Sequence, residues 1–239
     1  MATYSLETTA LSHQYSAHQP VLNKLSLRVP TGSIYGFLGP NGAGKTTTLR
    51  LILGLLRKQE GELTIFGRPF ESQRIATLQK IGSLIESPSI YGHLTATENL
   101  RVFQKVYGCS PERIGTVLQQ TGLSDTGRKS AGKFSLGMKQ RLAIAIALLN
   151  APDMLILDEP TNGLDPSGII AMRELLRSLN REQGVTILIS SHLLAEISRL
   201  VTHVGIISRG QLVFQGTMTQ LQQLGDGDLE TTFINLTEK

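Results

Sequence analysis

The sequence has no tryptophan, a single cysteine in 239 residues, and aromatic side chains at only 5% of positions. The lone Cys109 excludes an intrachain disulfide framework and suits a reducing compartment. No long hydrophobic run is present either. The most continuous one, LAIAIALL at Leu142 to Leu149, falls far short of the roughly 20 apolar residues a membrane span needs. Any membrane role must therefore come through a partner chain. The N-terminal stretch MATYSLETTALSHQY is polar and lacks a charged-then-apolar leader, so no secretory signal is expected. Neither sign of charge prevails. Lys plus Arg number 23 against 19 Asp plus Glu, and this net +4 suits anionic ligands but is too small to indicate nucleic acid. His13, His18, His93 and His203 show no metal-ligand spacing, and the five methionines are scattered as core fillers would be. There is no internal repeat and no low-complexity run.

What is present is a chain 40% hydrophobic, enough for one generous domain or a core lobe with a smaller lobe attached. VLNKLSLRV at 21–29 alternates as a half-buried strand does. SIYGFL then leads into GPNGAGKTTT, and TLRLILGLL follows with helical spacing. ELTIFG at 62–67 is a further short strand. Thr95 stands three residues before Glu98, a capping-box pattern that opens a helix. From there to about residue 150 the period is helical, broken by CSPE and by SDTGRKSAGKFS, whose Gly, Ser and Lys content permits a solvated linker. MLILDE and VTILISS are continuous apolar runs of strand length, typical of a parallel sheet covered on both faces. IIAMRELLRSLNREQG between them reads as an amphipathic helix ending on Gly184. VGIISRGQLVFQG reads as a hairpin turning at Arg209-Gly210, and the polar tail after Gly225 as loosely held. Strands alternating with helices around a helical insert predict a doubly wound α/β core carrying a helical lobe.

GPNGAGKT fits the phosphate loop G-x-x-x-x-G-K-[ST] in its required place, after a strand and before a helix. In the run Gly39, Pro40, Asn41, Gly42, Ala43 and Gly44, the glycines would let backbone amides converge on phosphate oxygens at a helix start. Lys45 would reach the β and γ phosphates, the Thr46 hydroxyl would ligate Mg2+, and Thr47 continues the nucleotide-binding turn.

Downstream, MLILDEPTNGLDP ends its apolar run on two adjacent acids, Asp158 and Glu159. Neighbouring side chains of an extended segment point to opposite faces, so the two must meet different groups. A magnesium nucleotide needs a carboxylate near the metal and a group that orients the attacking water. Asp158 suits the metal and Glu159 the general base. Isolated core acids would be costly, and the structural alternative is a capped loop acid.

With these residues in place the sequence resembles the ATP-binding subunits of ABC transporters over about residues 4–220. KFSLGMKQR is similar to the family signature at a helix start. The resemblance implies that Ser135 and Gly137 contact the γ phosphate of a nucleotide on a partner subunit. It also implies a loop residue Asp165 at that interface, a switch histidine at His192, and an aromatic, Tyr15, stacking on adenine. The signature reads FSLGM where LSGGQ is common, so Phe134, Leu136 and Met138 replace family residues. In LIESPSIYGHLTATENL the family's magnesium-contacting and coupling glutamine is replaced by Glu86, which resembles the subgroup handling bacitracin-type and lantibiotic peptides.

The resemblance implies a P-loop NTPase core with a mostly parallel sheet, an N-terminal antiparallel β portion and an inserted α-helical subdomain. As one ABC ATPase domain it would span 1–220, with the α/β core at about 1–86 and 151–220, helices at about 87–150, and a tail at 221–239. It implies a homodimer closed head to tail on ATP and Mg2+, coupled to a separate transmembrane permease at the cytoplasmic face of the membrane, with no nucleic acid partner. Two alternatives stand beside this. One is a soluble ABC ATPase acting on DNA or ribosomes, whose relatives carry a coiled-coil insert or two such domains in one chain. The other is a degenerate module that binds nucleotide without hydrolysis, against which Lys45, Asp158, Glu159 and His192 weigh.

Overall fold

A computed structural model describes residues 3–16, 19–86, 89–225 and 228–238; His18 lies outside the described residues. The chain begins with β1 (Tyr4–Ser16), β2 (Gln19–Leu25), β3 (Arg28–Pro30) and β4 (Ile34–Leu38). It continues through α1 (Lys45–Ile52), β5 (Glu60–Ile65), β6 (Arg68–Pro69), α2 (Arg74–Leu78) and β7 (Ile81–Leu84). A helical stretch follows, α3 (Ala96–Tyr107), α4 (Glu112–Gln120) and α5 (Leu136–Leu148), and then β8 (Met154–Asp158), α6 (Pro166–Gln183) and β9 (Thr186–Ser191). The last elements are α7 (Leu194–Ile197), β10 (His203–Ser208), β11 (Gln211–Thr217), α8 (Met218–Leu224) and α9 (Leu229–Thr237).

Every residue of β4, β8 and β9 is buried, which is why their sequences run apolar without alternation. They lie in a six-stranded sheet of order β11-β10-β4-β9-β8-β7. Its pairs are parallel except β10 with β11. A second, antiparallel sheet runs β2-β1-β5-β6, with β3 also paired to β1. This is the expected α/β architecture: a mostly parallel core, an N-terminal antiparallel portion and helices inserted between β7 and β8.

The parallel sheet separates two apolar cores. Tyr35, Phe37, Met154, Ile156 and Leu188 face α1 and the antiparallel sheet. Ile34, Leu38, Leu155, Leu157, Ile187 and Ile189 face α3 to α7. Each fully buried aliphatic side chain is worth about 1.5–3 kcal/mol. A one-residue slip of β8 would exchange its two faces, so this double burial specifies register.

Local signals explain several boundaries. Thr95 and Glu98 complete their capping box, with the Thr95 amide donating to Glu98 Oε2 at 2.8 Å. That amide, first, and the Thr95 hydroxyl hold the Glu98 carboxyl below its ordinary range. Gly184 ends α6 in the left-handed conformation, φ 68°. Arg209 and Gly210, φ 48° and 77°, make the tight turn of the β10–β11 hairpin.

Three readings are corrected. Residues 21–29 are not one strand, because β2 ends at Leu25 and β3 starts at Arg28. The stretch 124–135 is not simply a solvated linker. It holds two short 3-10 turns, buries Ala131 and bridges Ser130 to Thr95. The tail is not loosely held: Asp228 caps α9, Leu229, Phe233 and Leu236 pack on the core, and Ser208 donates to the Thr237 carbonyl at 2.8 Å.

Candidate active site

The loop between β4 and α1 is shaped by glycine. Gly42 and Gly44 take φ 80° and 109°, conformations that side chains disfavour. A Cβ on Gly44 would also lie 2.7 Å from Leu22 Cδ2, because β2 packs directly against the loop. Lys45 opens α1 buried to 7% exposure, and its ammonium donates to the carbonyls of Gly39 at 2.8 Å and Pro40 at 3.3 Å. Thr46 follows, its hydroxyl donating to Asp158 Oδ2 at 2.8 Å.

Asp158 is the last residue of β8 and is 6% exposed. Its other oxygen accepts from the Ser190 hydroxyl at 2.5 Å. Glu159 leaves the strand at φ 50°, held there by its amide donating to the Ser190 hydroxyl at 3.0 Å and to the Ser190 carbonyl at 3.2 Å. The two acids therefore diverge through a left-handed turn, and strand alternation alone does not separate them. Glu159 Oε1 lies 3.5 Å from Lys45 Nζ, and Glu159 Oε2 lies 2.9 Å from Nδ1 of His192, just past β9.

Lys45, Thr46, Glu159 and His192 line a cavity of about 560 Å³ at the carboxyl ends of β4, β8 and β9, where ligands of open α/β sheets bind, and Asp158 lies behind Thr46. Asn41, Gly42, Gly44, Lys45, Thr46, Thr47, Glu159 and His192 face it, together with Val21 and Asn162. Tyr15, 54% exposed, reaches the same helix start, its hydroxyl 3.2 Å from Thr47 Oγ1 and its ring edge-on to His13. Ala43 is buried behind the loop and its amide donates to the Pro40 carbonyl.

Five predicted residues lie elsewhere, four of them together. Ser135, Leu136, Gly137 and Asp165 line a different cavity of about 410 Å³, with Arg141 and Gly163. Ser135 caps α5, and Asp165 caps α6 through the Gly168 amide at 3.0 Å. The Ser167 hydroxyl, first, and that amide hold the Asp165 carboxyl below its ordinary range. No residue lines both cavities. Glu86, at φ 62°, forms an ion pair with Arg50 of α1 and is not among the residues lining the first cavity.

Sequence reasoning missed Ser190, Asn162 and Arg50. The signal for Ser190 was available. A serine ending a continuous apolar strand is a buried hydroxyl that needs a partner.

The oxygen donors suit a hard divalent cation. A buried carboxylate and a threonine hydroxyl meet at hydrogen-bond distance, the donor set magnesium takes alongside nucleotide phosphates. Lys45 and the glycine-turned amides suit phosphate.

The ABC transporter family profile matches residues 22–162. The chain is 51% identical over 209 residues to the bacitracin transport ATP-binding protein BcrA of Bacillus licheniformis, covering 87% of this chain and 68% of that one. It is 43% identical over 215 residues to the lantibiotic transport ATP-binding protein SrtF of Streptococcus pyogenes, covering 90% of each. A solved ATP-binding subunit of an ABC transporter superposes with a TM-score of 0.82 at 33% identity, over 97% of this chain and 98% of the other.

Proposed function

Because the chain belongs to the ABC transporter family as an ATP-binding, ATP-hydrolysing subunit, we propose that two copies close head to tail on ATP and drive a separate membrane subunit. The cargo is a peptide antibiotic or another amphipathic compound, moved outward, by analogy with the transport proteins the sequence is similar to. The chain works at the cytoplasmic face of the membrane through that partner. Among the described residues no helix is long and apolar enough to cross a membrane itself.

One observation carries the reading: Glu159 bridges Lys45 and His192 beside Thr46 and Asp158. The amides of the 39–46 loop and Lys45 hold the β and γ phosphates of ATP, and Tyr15 stacks on its adenine. Thr46 and Asp158 would hold magnesium, with Glu86 joining them when the two copies close. An ion held there would supply positive charge against the phosphates. Glu159 accepts a proton from the attacking water as its oxygen bonds to the γ phosphorus and the bridging oxygen leaves with ADP. His192, bonded to Glu159, orients that carboxylate and lies beside the γ phosphate. Ser135 and Gly137 of the second copy close over the same phosphate, which accounts for a signature cavity separate from the nucleotide cavity.

Affinity purification from the native membrane with ATP and magnesium tests the assignment. A polytopic membrane protein should co-purify in stoichiometric amount. Recovery of ribosomes or nucleic acid in its place would overturn it.

A further inference from the structure

We infer that Leu136 is a positioning residue for ATP hydrolysis: it locks the start of α5 to the 163–165 loop, so that signature and loop move as one piece. The role it serves in a closed pair of copies rests on the dimer proposed above. The lock itself lies within one chain.

Leu136 is the first residue of α5, directly after the Ser135 cap, and is 44% exposed. A leucine at a helix start with so much surface could point freely into water. Here its Cδ2 stands 3.0 Å from the position a Cβ on Gly163 would take. The missing side chain of Gly163 is therefore the seat of the Leu136 methyl. The contact is answered from the other side, because Leu164 Cδ2 stands 3.6 Å from the position of a Cβ on Gly137. Each segment thus lays a leucine over the other's glycine. Gly163 also needs its φ of 73°, so a larger residue there would be strained as well as crowded.

The loop is tied at both ends. Beyond it, Asp165 caps α6. Before it, the Leu164 amide donates to the Thr161 carbonyl, and the Asn162 amide to the Glu159 carbonyl, both at 3.1 Å. A shift of Leu164 is passed through two turn hydrogen bonds to the acid that faces Lys45. Leu136 is therefore one of two leucine contacts that link the signature cavity to the backbone of Glu159 in the nucleotide cavity. A glycine at 136 would lack this link.

Amide hydrogen exchange on the full chain tests the lock. Leu136→Ala removes the methyl that covers Gly163, so the amides of Gly163, Leu164, Asp165, Ser167 and Gly168 should exchange roughly three- to tenfold faster. Leu136→Met, which can still cover Gly163, should restore the rate. ATP affinity of the single subunit should stay within about twofold, since Leu136 does not line that cavity. In a Glu159→Gln background, Leu136→Ala should raise the ATP concentration needed for dimerisation by a similar three- to tenfold. Unchanged exchange at 163–168 would overturn the inference. If the Glu159→Gln parent stayed monomeric with ATP, the dimer reading would fall, and the exchange rates would still decide the lock.

Discussion

Nζ of Lys45 and Oε1 of Glu159 stand 3.5 Å apart, with only 7% and 22% of the two side chains exposed. The acid proposed as general base is thus also counter-ion to the lysine proposed to hold the phosphates. Phosphate oxygens and this carboxylate compete for one ammonium, so nucleotide must loosen Glu159 from Lys45 before the acid can face water.

Glu159→Gln should therefore separate binding from turnover. Loss of a positioned base lowers the hydrolysis rate by about a hundred- to ten-thousandfold. ATP affinity should hold or rise, because the amide competes less for Lys45. Phosphate release and binding of a fluorescent ATP analogue measure the two effects, and equal turnover in variant and parent refutes the role of Glu159.

Lys45→Ala removes the charge-assisted phosphate contacts, each worth about 1.5–3 kcal/mol. ATP binding should weaken by at least about tenfold, while the fold persists. Equilibrium titration with the same analogue checks it, and retained affinity would remove the phosphate-loop assignment.

Ser135→Arg should leave ATP binding to the single subunit intact and abolish hydrolysis, since its phosphate contact is made across the proposed pair. Mixed with Lys45→Ala subunits, it should regain activity through one intact composite site. Mixing the two purified variants and measuring phosphate release tests this; no recovery at any ratio counts against the sandwich.

Glu86 pairs with Arg50, and the two side chains are 58% and 33% exposed, so breaking the pair should cost stability little. Arg50 lies four residues after Thr46, on the same face of α1 and one turn away. Glu86→Gln should keep basal ATPase within a few fold in the single subunit and impair transport in the assembled complex. Normal transport by both Glu86→Gln and Glu86→Ala would reduce Glu86 to an ordinary loop acid.

The legible parts of this chain were those encoded within a few residues of each other. The phosphate loop, the Thr95–Glu98 box and the Arg209-Gly210 turn each carry their geometry in local residue types. β1 was not legible because three of its buried positions, Ser5, Thr8 and His13, are polar. Ser5 and Thr8 find distant partners, Thr31 and Thr186 for one and the Leu25 carbonyl for the other. α9 was missed for a similar reason: Thr232 is buried by donating to the Asp228 carbonyl, so a polar sequence packs. At the site, the sequence indicated which acids were present but not how they diverge. That depends on Ser190, thirty-odd positions downstream, holding the left-handed turn at Glu159.

The strand order sets a schedule for synthesis. Among the described residues β4, which carries the phosphate loop, pairs with β9 and β10, at residues 186–191 and 203–208. Neither neighbour exists while the first three quarters of the chain are being made. A nascent chain released before residue 186 has the complete GPNGAGKT motif, but β4 lacks both of its neighbours. Long-range pairing of this kind is slow and leaves apolar strands uncovered in the meantime. Capacity for ATP should thus appear abruptly and late on the ribosome, so that a truncated subunit cannot sequester nucleotide.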